Sequence, residues 1–215
     1  MSAMPDAGTL DARPFAGTAG DGMSAGRHTV GPNAIIQTRA ALDEIVGIGR
    51  RRAIFGTSGH GAFADHDPDG MVEARIVNAL NYEIAARLDP ETAHAVIKRA
   101  GEMTGDYILA NRIPKPAQWL LRRLPRALAQ RLLMAAIARN AWTFAGHARI
   151  ETGPDFIAIH ENPICLGKVG FSSCVWHAAV FRRLFTTLVD PAITVHETEC
   201  VGWGGEACRF EIVRP

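Results

Sequence analysis

The 215-residue chain has no excess of either charge: 23 Lys+Arg stand against 22 Asp+Glu, a formal net charge of +1. Bulk electrostatics therefore argue against a dedicated nucleic-acid binder. Long apolar runs are missing as well, and nothing approaches the roughly 18 consecutive apolar residues of a membrane-spanning helix. The opening MSAMPDAGTLDARPF has neither the basic start nor the apolar centre of a secretory signal, so a cytoplasmic location is expected. Cysteine is scarce at four, and without an export signal these residues read as thiols or metal ligands rather than disulfides. A nucleotide-cradling glycine turn is also lacking. Gly47-Ile48-Gly49 follows a helical pattern and has Arg52 where a third glycine should stand, while the spacing from Gly56 to Gly61 is reversed. Both read as connections. There is no Walker loop, GxSxG elbow or HExxH, so the sequence shows no machinery of its own for hydride transfer.

What is present is ordinary globular material, with 47% hydrophobic and 21% charged residues. Residues 1–28 are rich in Gly and Ala and poor in large apolar side chains, which predicts a flexible tail before a single domain over 29–215. Ile35, Ile36, Leu42, Ile45 and Val46 recur at helical spacing up to Gly47 and Gly49. A second helix fits Asp69 to Leu88, and Asp89-Pro90-Glu91 opens a third reaching about Asn111. A fourth, punctuated by Pro114, Pro116 and Pro125, extends to about Asn140. The period then changes to two through Trp142, Phe144, Ala148 and Ile150, predicting a strand. FIAIH, Ile193–Cys200 and Cys208–Val213 read as further strands, with a helix from Ser173 to Leu188 inserted among them. The expected class is α+β: an amino-terminal helical layer on a small, mostly antiparallel sheet.

Three cysteines and a carboxylate fall where a shared site is geometrically reasonable. Cys200 and Cys208 end two strands of a hairpin, Glu197 lies three residues before Cys200 where a bulge can turn it inward, and Cys174 opens the inserted helix. Three sulfurs and an oxygen suit four-coordinate Zn²⁺, and buried thiols acting as small hydrophobes are the competing reading. Cys165 is the odd one out and can substitute for Cys174.

GPNAIIQ at 31–37, NPICLG at 162–167, the helix bearing Cys174 and ETECVGWGGEACRFEI at 197–212 together resemble the 4-vinyl reductase domain family. Within it they are similar to the bacteriochlorophyll-biosynthesis branch, whose label is 4-vinyl (8-vinyl in current ring numbering) reductase. The resemblance spans roughly residues 28 to 213, and its most specific part is the E-x-x-C-x₇-C ending. It implies a ligand-binding fold shared distantly with nitric-oxide sensors and with subunits of a Golgi tethering complex. It also implies a structural zinc held by Cys174, Glu197, Cys200 and Cys208, and a homodimer formed through the helical layer.

The ligand so implied is a chlorophyll precursor such as divinyl protochlorophyllide, a flat apolar macrocycle carrying a propionate. Trp119, Trp142, Phe144, Trp176 and Phe181 can supply an aromatic slot, or plain core. His177 is a candidate nitrogen ligand for magnesium, and Arg122 and Arg126 are candidate clamps for the carboxylate. Those arginines belong to a run of eight basic residues between Asp106 and Glu151 with no acid among them. The run reads as a solvated helix face, a propionate clamp or a patch docking on anionic membrane, which would make the protein peripheral there. Three functions remain open: a pigment carrier or assembly factor for a pathway enzyme, the 8-vinyl reductase of the family label, and a sensor or scaffold module.

Overall fold

The computed structural model describes residues 28–165 and 173–214. The predicted amino-terminal tail, apart from His28, lies outside the described residues. Apolar periodicity builds most of the helices. In α1 (Asn33–Ile45) it buries Ala34, Ile35, Ala41 and Leu42. In α4 (Pro90–Asn111) it buries Ala93, Val96, Ile97, Ala100 and Leu109. Asp89 caps α4 as its sequence suggests, its Oδ1 accepting from the Thr92 amide at 2.9 Å with Pro90 opening the first turn.

Helix α4 lies between α1 and α8 (Val175–Leu188). Gly101 and Gly105, one turn apart on α4, set how closely α8 approaches. A Cβ on Gly101 would collide with the Trp176 carbonyl oxygen, and one on Gly105 would fall 2.6 Å from the Arg183 Cβ. The other face of α8 covers a four-stranded sheet in the order β3 (Ile150–Thr152), β4 (Phe156–His160), β6 (Ala207–Val213), β5 (Thr194–Glu199). All three pairings are antiparallel. Phe181, Phe185, Leu188, Ile157 and Phe210 meet in the fully buried centre. The class is α+β, as expected.

Several elements depart from the sequence expectation, for local reasons. The two glycines after α1 do not end helical structure. Gly47 takes a positive φ of 83°, redirecting the chain into α2 (Gly47–Thr57), which buries Ile54 and Phe55. The predicted connection at Gly47–Gly49 is therefore helical. The helix expected from Asp69 begins later, as α3 (Ala74–Arg87), because β2 (Val72–Glu73) pairs with β1 (Thr29–Val30). The single fourth helix is two, α5 (Lys115–Arg123) and α6 (Arg126–Arg139), parted at Leu124-Pro125. The strand expected from Trp142 is a correction in kind. Trp142–Ala145 forms a short helix, α7, and Gly146 at φ 58° turns the chain before β3 begins at Ile150.

Candidate metal centre and its aromatic wall

Four segments deliver one sulfur each to a common point. Cys165 comes from the Asn162-Pro163-Ile164-Cys165 turn after β4. Its geometry is fixed by Asn162, whose Oδ1 accepts from the Ile164 amide at 3.2 Å while its carbonyl accepts from the Cys165 amide at 3.1 Å. Asn78 on α3 ties the turn to the helical layer by donating to the Pro163 carbonyl at 2.8 Å. Cys174 sits at the amino-terminal cap of α8. Cys200 immediately follows β5, and Cys208 lies in β6 opposite Ile159 of β4. Their connecting loop is clamped by Glu199, whose Oε1 accepts from the amides of Glu206 at 2.5 Å and Ala207 at 3.2 Å.

The four Sγ atoms lie within 4.8 Å of one another, and three of the four cysteines are buried. The Cys165–Cys200 and Cys174–Cys208 sulfurs are 3.4 and 3.3 Å apart, far beyond the roughly 2.05 Å of a disulfide. A tetrahedral zinc with Zn–S near 2.3 Å places its sulfurs about 3.8 Å apart, so the group needs only tenths of an ångström of adjustment to hold a metal. Asn162 Nδ2 donates to the Cys174 sulfur at 3.5 Å, an outer contact of the kind that orients a ligand.

Protonation follows from the crowding. Hydrogen bonds from Cys165 and Cys174 hold the Cys208 thiol far below its ordinary range. Bonding to Cys165, Cys200 and Cys208, together with burial, pushes Cys174 well up. Cys165 is drawn down by its bond with Cys174, but its bonds with Cys208 and Cys200, burial and the Cys208 charge outweigh that and raise it. Four sulfurs this close do not all ionise by themselves. A divalent cation would supply the charge that lets them.

The sequence placed Cys174, Cys200 and Cys208 correctly together, and a β-bulge does occur between Glu197 and Glu199. Glu197 is not in the four-sulfur group. It pairs with Phe210 in the β5–β6 ladder, and Cys165 supplies the fourth sulfur. Cys165 joins the set in addition to Cys174 instead of replacing it. The signal was in NPIC, where Asn-Pro turn chemistry next to a cysteine fixes a ligand's backbone.

Beside the sulfurs stands an aromatic wall. His177 is 1% exposed on α8, with Trp176, Phe144, Phe210 and Phe181 around it at ring-centroid distances of 5.0 to 6.2 Å. Burial pushes the His177 pKa down to about 4, against smaller upward pulls from the Cys208 charge and the Phe144 backbone, so its ring is neutral. Neither of its ring nitrogens, nor the Trp176 indole N–H, has a partner in hydrogen-bond geometry among the described residues. Such buried orphans cost roughly 1–3 kcal/mol each, which makes three side by side an unusual feature.

The other expected ligand-holding residues stand elsewhere. Trp119 and Trp142 are on the surface, more than half exposed. Arg122 donates to the Thr187 carbonyl at 3.2 Å, and Arg126 pairs with the buried Asp190 at 2.9 Å. Thr187 lies ten residues beyond His177 on α8, about 15 Å at the helical rise, so these arginines and the His177 wall are at opposite ends of one helix. An open groove of about 680 Å³ also runs beside α4 and α8, but it is lined by Lys98, Arg99, Glu102, Asp106, Arg182 and Arg183 among others. None of the eight residues expected to hold a macrocycle lines it.

Comparison with known proteins gives a consistent pattern. Residues 155–214 match the model of the 4-vinyl reductase domain, and that span contains all four cysteines and the His177 wall apart from Phe144. The chain is 42% identical over 190 residues to a protein of Cereibacter sphaeroides named bacteriochlorophyll synthase 23 kDa chain, covering 86% of this chain and 91% of that one. It is 41% identical over 186 residues to a protein of the same name from Rhodobacter capsulatus, covering 84% and 85%. No solved structure matches significantly.

Proposed function

Since the chain belongs to the 4-vinyl reductase domain family of these 23 kDa chains, we propose that it serves bacteriochlorophyll biosynthesis as a tetrapyrrole-binding carrier or assembly factor. Its cargo on this reading is a chlorophyll precursor of the divinyl protochlorophyllide kind, handed to a pathway enzyme. Its place of work is the cytoplasmic face of the photosynthetic membrane. The relatives' name, a chain of a synthase, supports a role alongside an enzyme.

The observation that carries the reading is the row of unpartnered polar atoms, Trp176 Nε1 and both His177 nitrogens, set in an aromatic wall on the helix that Cys174 caps. A flat macrocycle would gain stacking from Phe144 and Phe181, and a magnesium at its centre would take a neutral imidazole nitrogen. These rings now pack against one another, so entry of a ligand requires α7 with Phe144 to swing from α8. The sulfur group would hold a zinc. Four protein ligands leave no position for substrate, so this metal's contribution is to tie the Asn162 turn, α8 and the terminal hairpin into one floor.

The test is a titration of the purified protein with divinyl protochlorophyllide, with and without NADPH, followed by absorption. Saturable binding with an unchanged pigment spectrum after NADPH supports a carrier. Conversion to the monovinyl pigment establishes the reductase of the family label instead, and absence of binding removes the cargo.

A further inference from the structure

The pigment reading leaves the outer side of α5 and α6 unused. Helix α5 buries only Gln118, whose Nε2 donates to the carbonyls of Leu109 at 2.5 Å and Ile113 at 2.8 Å. Trp119 and Leu120 next to it are 59% and 48% exposed. Helix α6 buries Ala129, Gln130, Leu133, Met134 and Ile137 on one side. Its other side presents Leu128 and Leu132, one turn apart, with Arg131 and Arg139, and exposed Trp142 follows in α7.

The same stretch holds all eight basic residues of 107–150 and no acid. With the whole chain at +1, everything outside it sums to −7. Of the eight, Arg126 alone has a carboxylate partner among the described residues, while Arg123 stacks on Trp119 at 5.1 Å.

We infer that this face docks the protein on an anionic lipid bilayer. Tryptophan and leucine flanked by arginines are what an interfacial helix needs: apolar groups sink below the headgroups while guanidinium groups stay at the phosphates. No described helix is long and apolar enough to cross a membrane, so the contact lies in the membrane plane. A second copy of this chain is disfavoured as the occupant, because a twofold axis would set one +8 face against another. The acidic remainder of the chain is repelled from the same bilayer, which orients the molecule. This inference rests on the peripheral placement proposed above and not on the cargo.

The experiment is flotation of the full chain with vesicles of phosphatidylglycerol and phosphatidylcholine, against pure phosphatidylcholine, at low and high salt. Binding is expected only to the anionic vesicles, weakening with salt. The double variant R131E/R139E should lose at least ~25-fold in partitioning, about fivefold per lost cation. Trp119→Ser should bind more weakly while retaining the wild-type circular dichroism. Three results would overturn the inference: no binding to anionic vesicles at low salt, equal binding by the double variant, or capture of an acidic polypeptide with no vesicle binding. Pigment titration of the same variants separates the two proposals, since a surface variant that loses vesicles should still bind pigment.

Discussion

The α1–α4 layer and the carboxyl-terminal unit of β4, α8, β5 and β6 are held together by different physics. In the layer, Ile35, Ala41 and Leu42 of α1 and Val96, Ile97 and Ala100 of α4 are buried apolar side chains at helical spacing. Exposed ion pairs such as Arg99–Glu44 at 3.0 Å add little to them. In the terminal unit, residues as far apart in sequence as Cys165 and Cys208 bring sulfurs to one point. Periodic burial tolerates shifts of a residue or two. A ligand cluster does not, because each sulfur has one place to be.

Removing one sulfur should therefore damage the molecule unevenly, and this is the largest effect expected. Cys208→Ser or Cys174→Ser should abolish stoichiometric metal and destabilise the terminal unit by several kcal/mol, since structural metal binding contributes directly to folding. Hydrogen exchange after chelation should rise in α8, β5 and β6 while α1 and α4 keep their protection. Equal loss in both regions would erase the distinction.

The seam between the regions comes next. Gly101→Ala puts a Cβ against the Trp176 carbonyl and the Ala179 Cβ, so α4 and α8 must separate. The expected cost is about 3 kcal/mol in urea unfolding, at the upper end for overpacking. A loss under about 0.5 kcal/mol, the range of an ordinary surface change, would show that the close approach carries no weight.

A sharper and smaller contrast concerns the two candidate fourth ligands. Cys165→Ser should lose the metal, whereas Glu197→Gln should keep it at wild-type stoichiometry, as measured by elemental analysis. The reverse outcome would restore the carboxylate to the site.

The smallest effect is acid sensitivity in the helical layer. A backbone hydrogen bond from Thr92 holds Asp89 below its ordinary pKa, and hydrogen bonds from Arg87 and Thr57 do the same for Glu83. Depressed carboxyl groups stabilise the fold above their unfolded values, near 3.8 and 4.5, and that contribution disappears as pH falls through the lowered values. Asp89→Asn should flatten the acid limb of the stability profile, and an unchanged limb would discount the cap.

Much of this was legible in the residues. Asp89-Pro90 marks the start of α4, FIAIH is β4, and the stripe from Cys174 to Leu188 is α8. Three cysteines of the sulfur group were also within reach, because hairpin ends and a helix start are local facts. Where the sequence misled, two signals competed. Alternation from Trp142 to Ile150 imitates a strand, but bonds from the Thr143 and Phe144 amides to the Asn140 and Ala141 carbonyls make a helical turn first. Aromatic residues carry no address of their own: Trp119 and Trp142 resemble Trp176 in sequence, yet they stand on the surface while Trp176 is buried. Cys165 was set apart because the sulfur it meets at 3.4 Å, that of Cys200, is 35 residues away, a distance no local pattern spans.

X-ray absorption at the zinc edge of the purified protein tests the central claim most directly. One zinc per chain surrounded by four sulfurs is the result predicted. A shell of three sulfurs and an oxygen, or a protein that folds fully with no bound metal, would contradict it.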